Sequence, residues 1–389
     1  MGHDELEIVD GGGVDAVLGH AGAVRPPEVR AALEALEEIA EHAESSALSD
    51  RSRELYAADW RRFTTWCARM QLNPLPAEVQ TVRLYLADMA SLMHPDGTPV
   101  YKVASIERHL AAIAHHHHAV GAASPVRAEP VAGTLRGLRR LRQEQPRRLR
   151  PLLLDDVRAC LRVMDTTHWP AAVGACRDAF VLLAGFAGAF RRSEIAGLRH
   201  RDITFNQLDG LLVRLTRTKT DQEGHGVVVP LPFGQQPETC VPCRWVRWTR
   251  VQTHGLRGQR ADMMRQLLRD QAPGDRHICR DTPAVLREIA VEPDTPAVCS
   301  IRRDGTVNRS AATGSALHEM VRRRASAAGF DLDIGFHSLR AGFVTQARRN
   351  GVDPRAIRRQ TRHASDAMVD VYDREYAPLQ GNAVTGLGL

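Results

Sequence analysis

From Ser49 onward the apolar residues return at steps of four and three: Tyr56, Trp60, Phe63, Cys67 and Met70. That spacing places them on one face of an α-helix. Ser49 or Asp50 can cap its start. Weaker stripes of the same period run through residues 76–93, 103–120 and 131–144. Pro74 with Pro76, Pro95 to Gly97, and Pro125 break them apart. Pro76 suits the first turn of the second helix, where its missing N–H costs nothing. Residues 47–145 therefore read as a compact four-helix domain. Ahead of it, residues 1–46 read as an N-terminal arm, partly disordered, broken early by Gly11 to Gly13. Its Ala/Glu-rich part, 27–45, can make a short helix.

A basic stretch follows. Arg136, Arg139, Arg140, Arg142, Arg147, Arg148 and Arg150 face a single acid, Glu144, and Pro146 and Pro151 bracket a linker over 146–151. Leu135, Leu138 and Leu141 are expected to pack one side while the arginines cover the rest. The bland reading is a solvated charge run. The other is a segment lying along a phosphate backbone, where each neutralised phosphate releases counterions. The net charge of +6 is compatible with a polyanionic partner.

The chain's 389 residues suit two domains. No apolar run reaches the roughly 18 residues needed to span a bilayer. The first ten residues lack the basic and apolar stretches of a signal peptide. The expected location is the cytoplasm, with no membrane partner. Seven cysteines, an odd and sparse set, argue against a disulfide framework.

Residues 152–389 form the second domain, mostly helical with a small β-hairpin. Its strands are Leu211 to Thr216 and Val227 to Leu231, around a polar loop from Arg217 to Gly226, and Pro230 and Pro232 close it off. The fold class is thus mainly α with a small β-hairpin or sheet. Residues 255–300 show one helix, 260–271, and no chemistry. Cys240 and Cys243 have the spacing of a zinc knuckle, and His277 with Cys279 could complete four ligands. A structural zinc usually needs two tight pairs, however, and His277-x-Cys279 is a poor second one. The reading favoured is helical packing of Cys243, Trp245 and Trp248 near a core, with no metal. His115 to His118 read as a partly exposed helix face.

Four segments combine arginine, histidine and tyrosine near helix ends. They are Gly188-Ala189-Phe190-Arg191-Arg192-Ser193-Glu194-Ile195, Thr216-Arg217-Thr218-Lys219-Thr220, His337-Ser338-Leu339-Arg340, and His363-Ala364-Ser365 with Tyr372 nine residues after the histidine. Each alone is a weak signal. Together, in this order, they resemble the tyrosine recombinase (phage integrase) family, over about residues 49–376. That family's catalytic domain carries Arg, Lys, His-x-x-Arg, His/Trp and Tyr in sequence, and its first motif has the form Gly-Leu-Arg-x-Ser-Glu-Leu. The wording RTKT and the helical N-terminal domain look more like Cre-type members than the minimal Xer type. One departure stands out: many members have Gly before the second histidine, where this chain has Arg362, which is expected to alter the turn there.

The resemblance implies a helical core DNA-binding domain and a catalytic domain that breaks and rejoins DNA. Tyr372 would be the nucleophile. Arg191 and Arg340 would hold the non-bridging phosphate oxygens, since guanidinium keeps its charge and binds in bidentate fashion. His337 and His363 would lie at the phosphate, and Lys219 would protonate the leaving oxygen, which an arginine cannot do. Only two lysines, Lys102 and Lys219, occur among 52 basic residues, which gives Lys219 mild independent support. Glu194 is expected to orient an arginine or histidine, or else simply to meet a helix start. No metal or nucleotide is needed, because a phosphotyrosine bond conserves the energy of the broken phosphodiester. The implied partner is double-stranded DNA with inverted-repeat sites, bound by a homo-tetramer on synapsed DNA that is monomeric when free. Base contacts are expected from the helices near 103–120 and 312–328. Two other functions fit part of the pattern. A type IB topoisomerase-like enzyme would relax any plasmid, and a DNA-binding relic would bind without cleaving.

Overall fold

The computed structural model describes residues 26–46, 48, 50–144, 149–216, 226–269, 276–280, 291–330 and 333–363. The chain parts into two units, Met1–Pro146 and Arg147–Leu389, each with its own apolar core.

The first unit holds α1 (Pro27–Ser46), α2 (Asp50–Arg69), α3 (Val79–Ser91), α4 (Val103–Ala119) and α5 (Glu129–Arg142). The helix expected over 27–45 in the arm is α1. Phe63 and Cys67 are buried as their spacing demands, but Met70 is exposed, because α2 has already ended; Trp66 is buried in the same core. The helix after Pro76 starts three residues later than expected. The Ala77 N–H is instead held by His117 Nε2 at 2.9 Å. His117 is therefore fully buried within the histidine run, its Nδ1 2.8 Å from the Ile113 carbonyl, and His116 stacks on Trp60 at 4.4 Å. Only His115 and His118 face outward. A buried carboxylate, Asp59, takes a two-pronged bond from Arg108 at 2.6 and 3.1 Å. Beside it Tyr85 Oη meets His109 Nδ1 at 3.0 Å.

The second unit is built around α7 (Ala171–Ala187). Nearly all of its residues are buried, so it is apolar around its whole circumference, the pattern of an interior helix. Its one buried carboxylate, Asp178, is neutralised by Arg177 at 2.7 Å and by Arg324 at 2.8 Å. Arg324 belongs to α11 (Gly314–Ala327), so the pair fastens that helix to the core. Around α7 lie α6 (Leu154–Arg162), α8 (Arg192–Gly197), α9 (Val241–Leu256), α10 (Arg260–Arg269), α12 (His337–Arg349) and α13 (Pro354–Thr361).

The expected hairpin is part of a three-stranded antiparallel sheet, β1 (Ile203–Asn206), β2 (Gly210–Leu215) and β3 (Val227–Pro232), in that order. Leu215 pairs with Val227 and Gly210 with Pro232. The two prolines thus lie inside β3 rather than beyond it. They fit because β3 is an edge strand and needs no N–H on its open side. A second hairpin, β4 (Cys299–Ile301) with β5 (Val307–Ala311), begins at the end of the stretch that showed no strand pattern. No helix among the described residues is long and apolar enough to cross a membrane.

Candidate active site

The C-terminal end of α7 organises the site. A helix end leaves carbonyls without partners and carries partial negative charge, and here cations fill the vacancy. The Ala189 carbonyl accepts from Arg340 Nη1 at 2.6 Å and from Arg362 Nη2 at 3.1 Å. The Gly188 carbonyl accepts from Arg362 Nη1 at 3.1 Å. Gln360 Nε2 bonds both the Ala187 carbonyl at 2.9 Å and the Pro230 carbonyl at 3.1 Å, which ties α13 to α7 and to β3.

Ala189 ends α7 in the left-handed region, at φ +45°. That is the position where the family's first motif has its glycine. The turn redirects the chain so that Arg191 stands at the start of α8. Glu194, one turn on, accepts from the Arg191 N–H at 2.7 Å and from Arg191 Nη1 at 2.7 Å. It also accepts from Arg362 Nη2 at 2.9 Å. One carboxylate therefore both caps the helix and orients two guanidiniums. Burial alone would raise its pKa, but the Arg362 charge and the Arg191 bonds outweigh that and hold it below the usual carboxylate range.

Arg362 repeats the geometry of Ala189. It ends α13 at φ +59°, so the turn keeps a glycine-like conformation although the residue is arginine. Its side chain points inward and lies over the Phe190 ring at 5.3 Å. The next residue, His363, is buried with Nδ1 2.9 Å from Thr361 Oγ1. Desolvation, then the charges of Arg340 and Arg191, push His363 down to about 3. His337 opens α12 at the outer surface, one turn before Arg340, and is lowered by desolvation and by the same two arginines. Both imidazoles are thus neutral near pH 7 and able to accept a proton.

Arg191, Glu194, Arg340 and His363 come together from three distant segments, with His337 within the field of the same arginines. Lys219 and Tyr372 lie outside the described residues. Arg362 was noted in the sequence only as a departure from glycine; the signal it offered was a bulky cation at a position that normally needs none.

The basic stretch looks different from its sequence. Arg142 is largely buried, bonding the Ala90 carbonyl at 2.7 Å and the Tyr101 carbonyl, so it clamps its own unit rather than facing outward. Arg139 pairs with Glu107 at 2.8 Å and Arg136 pairs with Glu129. Arg140 is exposed. Leu135 and Leu138 join the core, but Leu141 is 84% exposed, one residue before the helix ends. Arg147 and Arg148 lie outside the described residues.

A second cluster, weighed in the sequence and set aside in favour of helical packing without a metal, does come together. The ligand atoms of Cys240, Cys243, His277 and Cys279 all lie within 4.8 Å of one another. The His277-x-Cys279 pair works because a short 3-10 turn, Ile278–Arg280, brings both residues to one side.

The chain is similar to several known proteins. Residues 286–377 match the model of the phage integrase family. An integrase/recombinase xerD homolog from Selenomonas ruminantium is 27% identical over 340 residues, covering 86% of this chain and 85% of that protein. Its name is of the Xer type, whereas the sequence pointed to Cre-type members. Among solved structures, the XerA recombinase is 17% identical, with a TM-score of 0.34 over 87% of this chain and 92% of that one. A lambda integrase dimer bound to a core site is 14% identical, with a TM-score of 0.46 over 86% and 95%.

Proposed function

We propose, given that the chain belongs to the phage integrase family and is a tyrosine-type site-specific DNA recombinase, that Tyr372 attacks the scissile phosphate to leave a 3′-phosphotyrosine. The phenolic oxygen forms the new bond to phosphorus as the bond to the 5′ oxygen breaks. A phosphodiester repels nucleophiles, and its pentacovalent transition state carries still more negative charge. Arg191 and Arg340 would hold the two non-bridging oxygens, and fixed donors of this kind typically lower a barrier by a few kcal/mol each. Of the two imidazoles at the phosphate, His337 takes the phenol proton. Lys219 supplies the proton to the departing 5′ hydroxyl. Rejoining reverses these steps on a partner strand, through a Holliday junction.

Support comes chiefly from the convergence of Arg191, Arg340 and two neutral imidazoles at the end of α7. Clustered guanidiniums with adjacent imidazoles fit phosphoryl transfer, a step that would need neither metal nor nucleotide. Glu194 and Arg362 serve as positioning groups. The proposed partner is double-stranded DNA with inverted-repeat sites, and the proposed assembly is a tetramer on two synapsed duplexes formed from free monomers. Integration, excision or transposition of a mobile element, in the cytoplasm at the nucleoid, is the setting we infer.

A suicide DNA substrate, nicked so that rejoining cannot occur, should trap one covalent adduct per cleaved strand. Tyr372→Phe should abolish it, and Arg191→Ala or Arg340→Ala should reduce it by a hundredfold or more, on the order seen for lost transition-state donors. An adduct that persists in Tyr372→Phe would overturn the assignment. Relaxation of plasmids lacking a cognate site would favour a topoisomerase.

A further inference from the structure

We propose that Cys240, Cys243, His277 and Cys279 bind a single zinc ion that staples the second unit together, separate from its DNA chemistry. The argument begins with distances. Cys243 Sγ lies 3.4 Å from Cys279 Sγ and 3.5 Å from His277 Nδ1, and Cys240 Sγ lies 3.8 Å from Cys279 Sγ. Zinc–sulfur bonds of about 2.3 Å and zinc–nitrogen bonds of about 2.0 Å, arranged tetrahedrally, give edges of roughly 3.8 and 3.5 Å. Three of the six edges are thus already within about 0.4 Å of those lengths, and the other three are no longer than 4.8 Å. Three thiolates and an imidazole are a soft ligand set, which favours zinc over magnesium or calcium. All four positions come from protein, so no site is left for water or substrate, the hallmark of a structural ion.

The surroundings supply a supporting shell. The Gly234 N–H points at Cys240 Sγ from 3.3 Å, as amides do toward metal-bound thiolates. Only glycine permits that approach, since a Cβ at 234 would stand 2.9 Å from the Cys240 Cα. On the other side, His277 Nε2 faces the Gln235 carbonyl at 3.4 Å. A proton on Nε2 leaves Nδ1 bare toward Cys243, and such a second-shell bond commonly fixes the tautomer of a zinc-bound histidine. The three cysteines are buried, and apart from them only Val246, Phe205, Phe233 and Ile278 complete the local apolar cluster.

Plain thiol packing does not explain the histidine, and a disulfide would consume two of three sulfurs and leave both the third and His277 without a role. A zinc ion uses all four. It would join the start of α9, with Cys240 at its N-cap and Cys243 in its first turn, to His277 and the short turn at 278–280, up to 39 residues away in sequence. Ligands so separated gain much from closure, because the ion removes loop freedom from the unfolded chain.

The test uses the full chain without an affinity tag, purified in the absence of chelator. Elemental analysis should give about one zinc per chain. Cys240→Ser and Cys279→Ser should each lose it, while Cys67→Ser, in the other unit, should keep it. Stripping zinc should lower the Tm by several degrees, and adding it back should restore the loss. Should the serine variants fail to fold, the parent still decides: cobalt(II) added to the stripped protein should give the intense visible bands of a tetrahedral thiolate site. His277→Cys should keep one metal per chain and strengthen the sulfur-to-cobalt absorption. A chain that carries no zinc and gives no such bands, or an intact mass short by two hydrogens, would overturn the proposal.

Discussion

Among the described residues four non-glycines bear φ angles that glycine normally takes, and two of them, Ala189 at +45° and Arg362 at +59°, terminate the two helices that deliver Arg191 and His363. A side chain in that region is less favourable than glycine by about 1 kcal/mol. At 362 the guanidinium offsets this through its bonds to Glu194, Gly188 and Ala189. Arg362→Ala should keep the strain and lose the bonds, lowering stability by about 1–3 kcal/mol in denaturant melts. Arg362→Gly should lose about 1 kcal/mol less, and equal losses for the two would show that the turn is unstrained. His363 makes a second prediction. Its folded pKa, near 3, lies below its unfolded value of about 6.5, so below pH 6.5 the unfolded chain binds the extra proton. Stability is therefore intact above about pH 6.5 and falls with pH beneath it, by up to about 1.4 kcal/mol per unit from this residue. His337, shifted the same way, adds to the slope. His363→Asn should flatten the stability curve between about pH 6 and 4; a curve parallel to the parent's would contradict the burial and charge described for His363.

At the scale of elements, α12 approaches the segment before α6 very closely. Leu152 donates to the Ser338 carbonyl at 2.9 Å, and a Cβ at Gly342 would sit 1.7 Å from the Leu152 carbonyl oxygen. Because α12 carries His337 and Arg340, Gly342→Ala must push the helix outward and should cost about 1–3 kcal/mol, the usual range for overpacking. A thermal melt reads that loss, and slower cleavage should accompany it. An unchanged melt would mean that the two segments yield freely. Such contacts explain what the sequence could and could not reveal. Helices α2 to α5 and the β2–β3 hairpin were legible because their periodicity lies within one segment. The His337–Arg340 and Arg191–Glu194 pairs were legible because each is local wording. The start of α3 was misplaced because the Ala77 N–H goes to His117, 40 residues away. The inward turn of Arg362 was hidden for the same reason, and the grouping of Cys240, Cys243, His277 and Cys279, though nameable from spacing, was undervalued because the turn that joins its second pair is supplied only by the tertiary fold.

For the molecule as a whole, the two units divide the physics. The first unit spends part of its basic surface on itself, with Arg142 on carbonyls and Arg136 and Arg139 on glutamates. The second gathers arginines at one helix end, where the like charges are separated by Glu194 and backbone carbonyls. Its sheet ends at β3, whose open side would ordinarily invite another strand to dock. Pro230 and Pro232 have no N–H to offer there, and the Pro230 carbonyl is already held by Gln360. That border cannot be lengthened by ribbon from a neighbouring copy. Under the assembly proposed above, copies meeting at this border would touch through side chains rather than a shared ladder, and contacts of that kind are readily released.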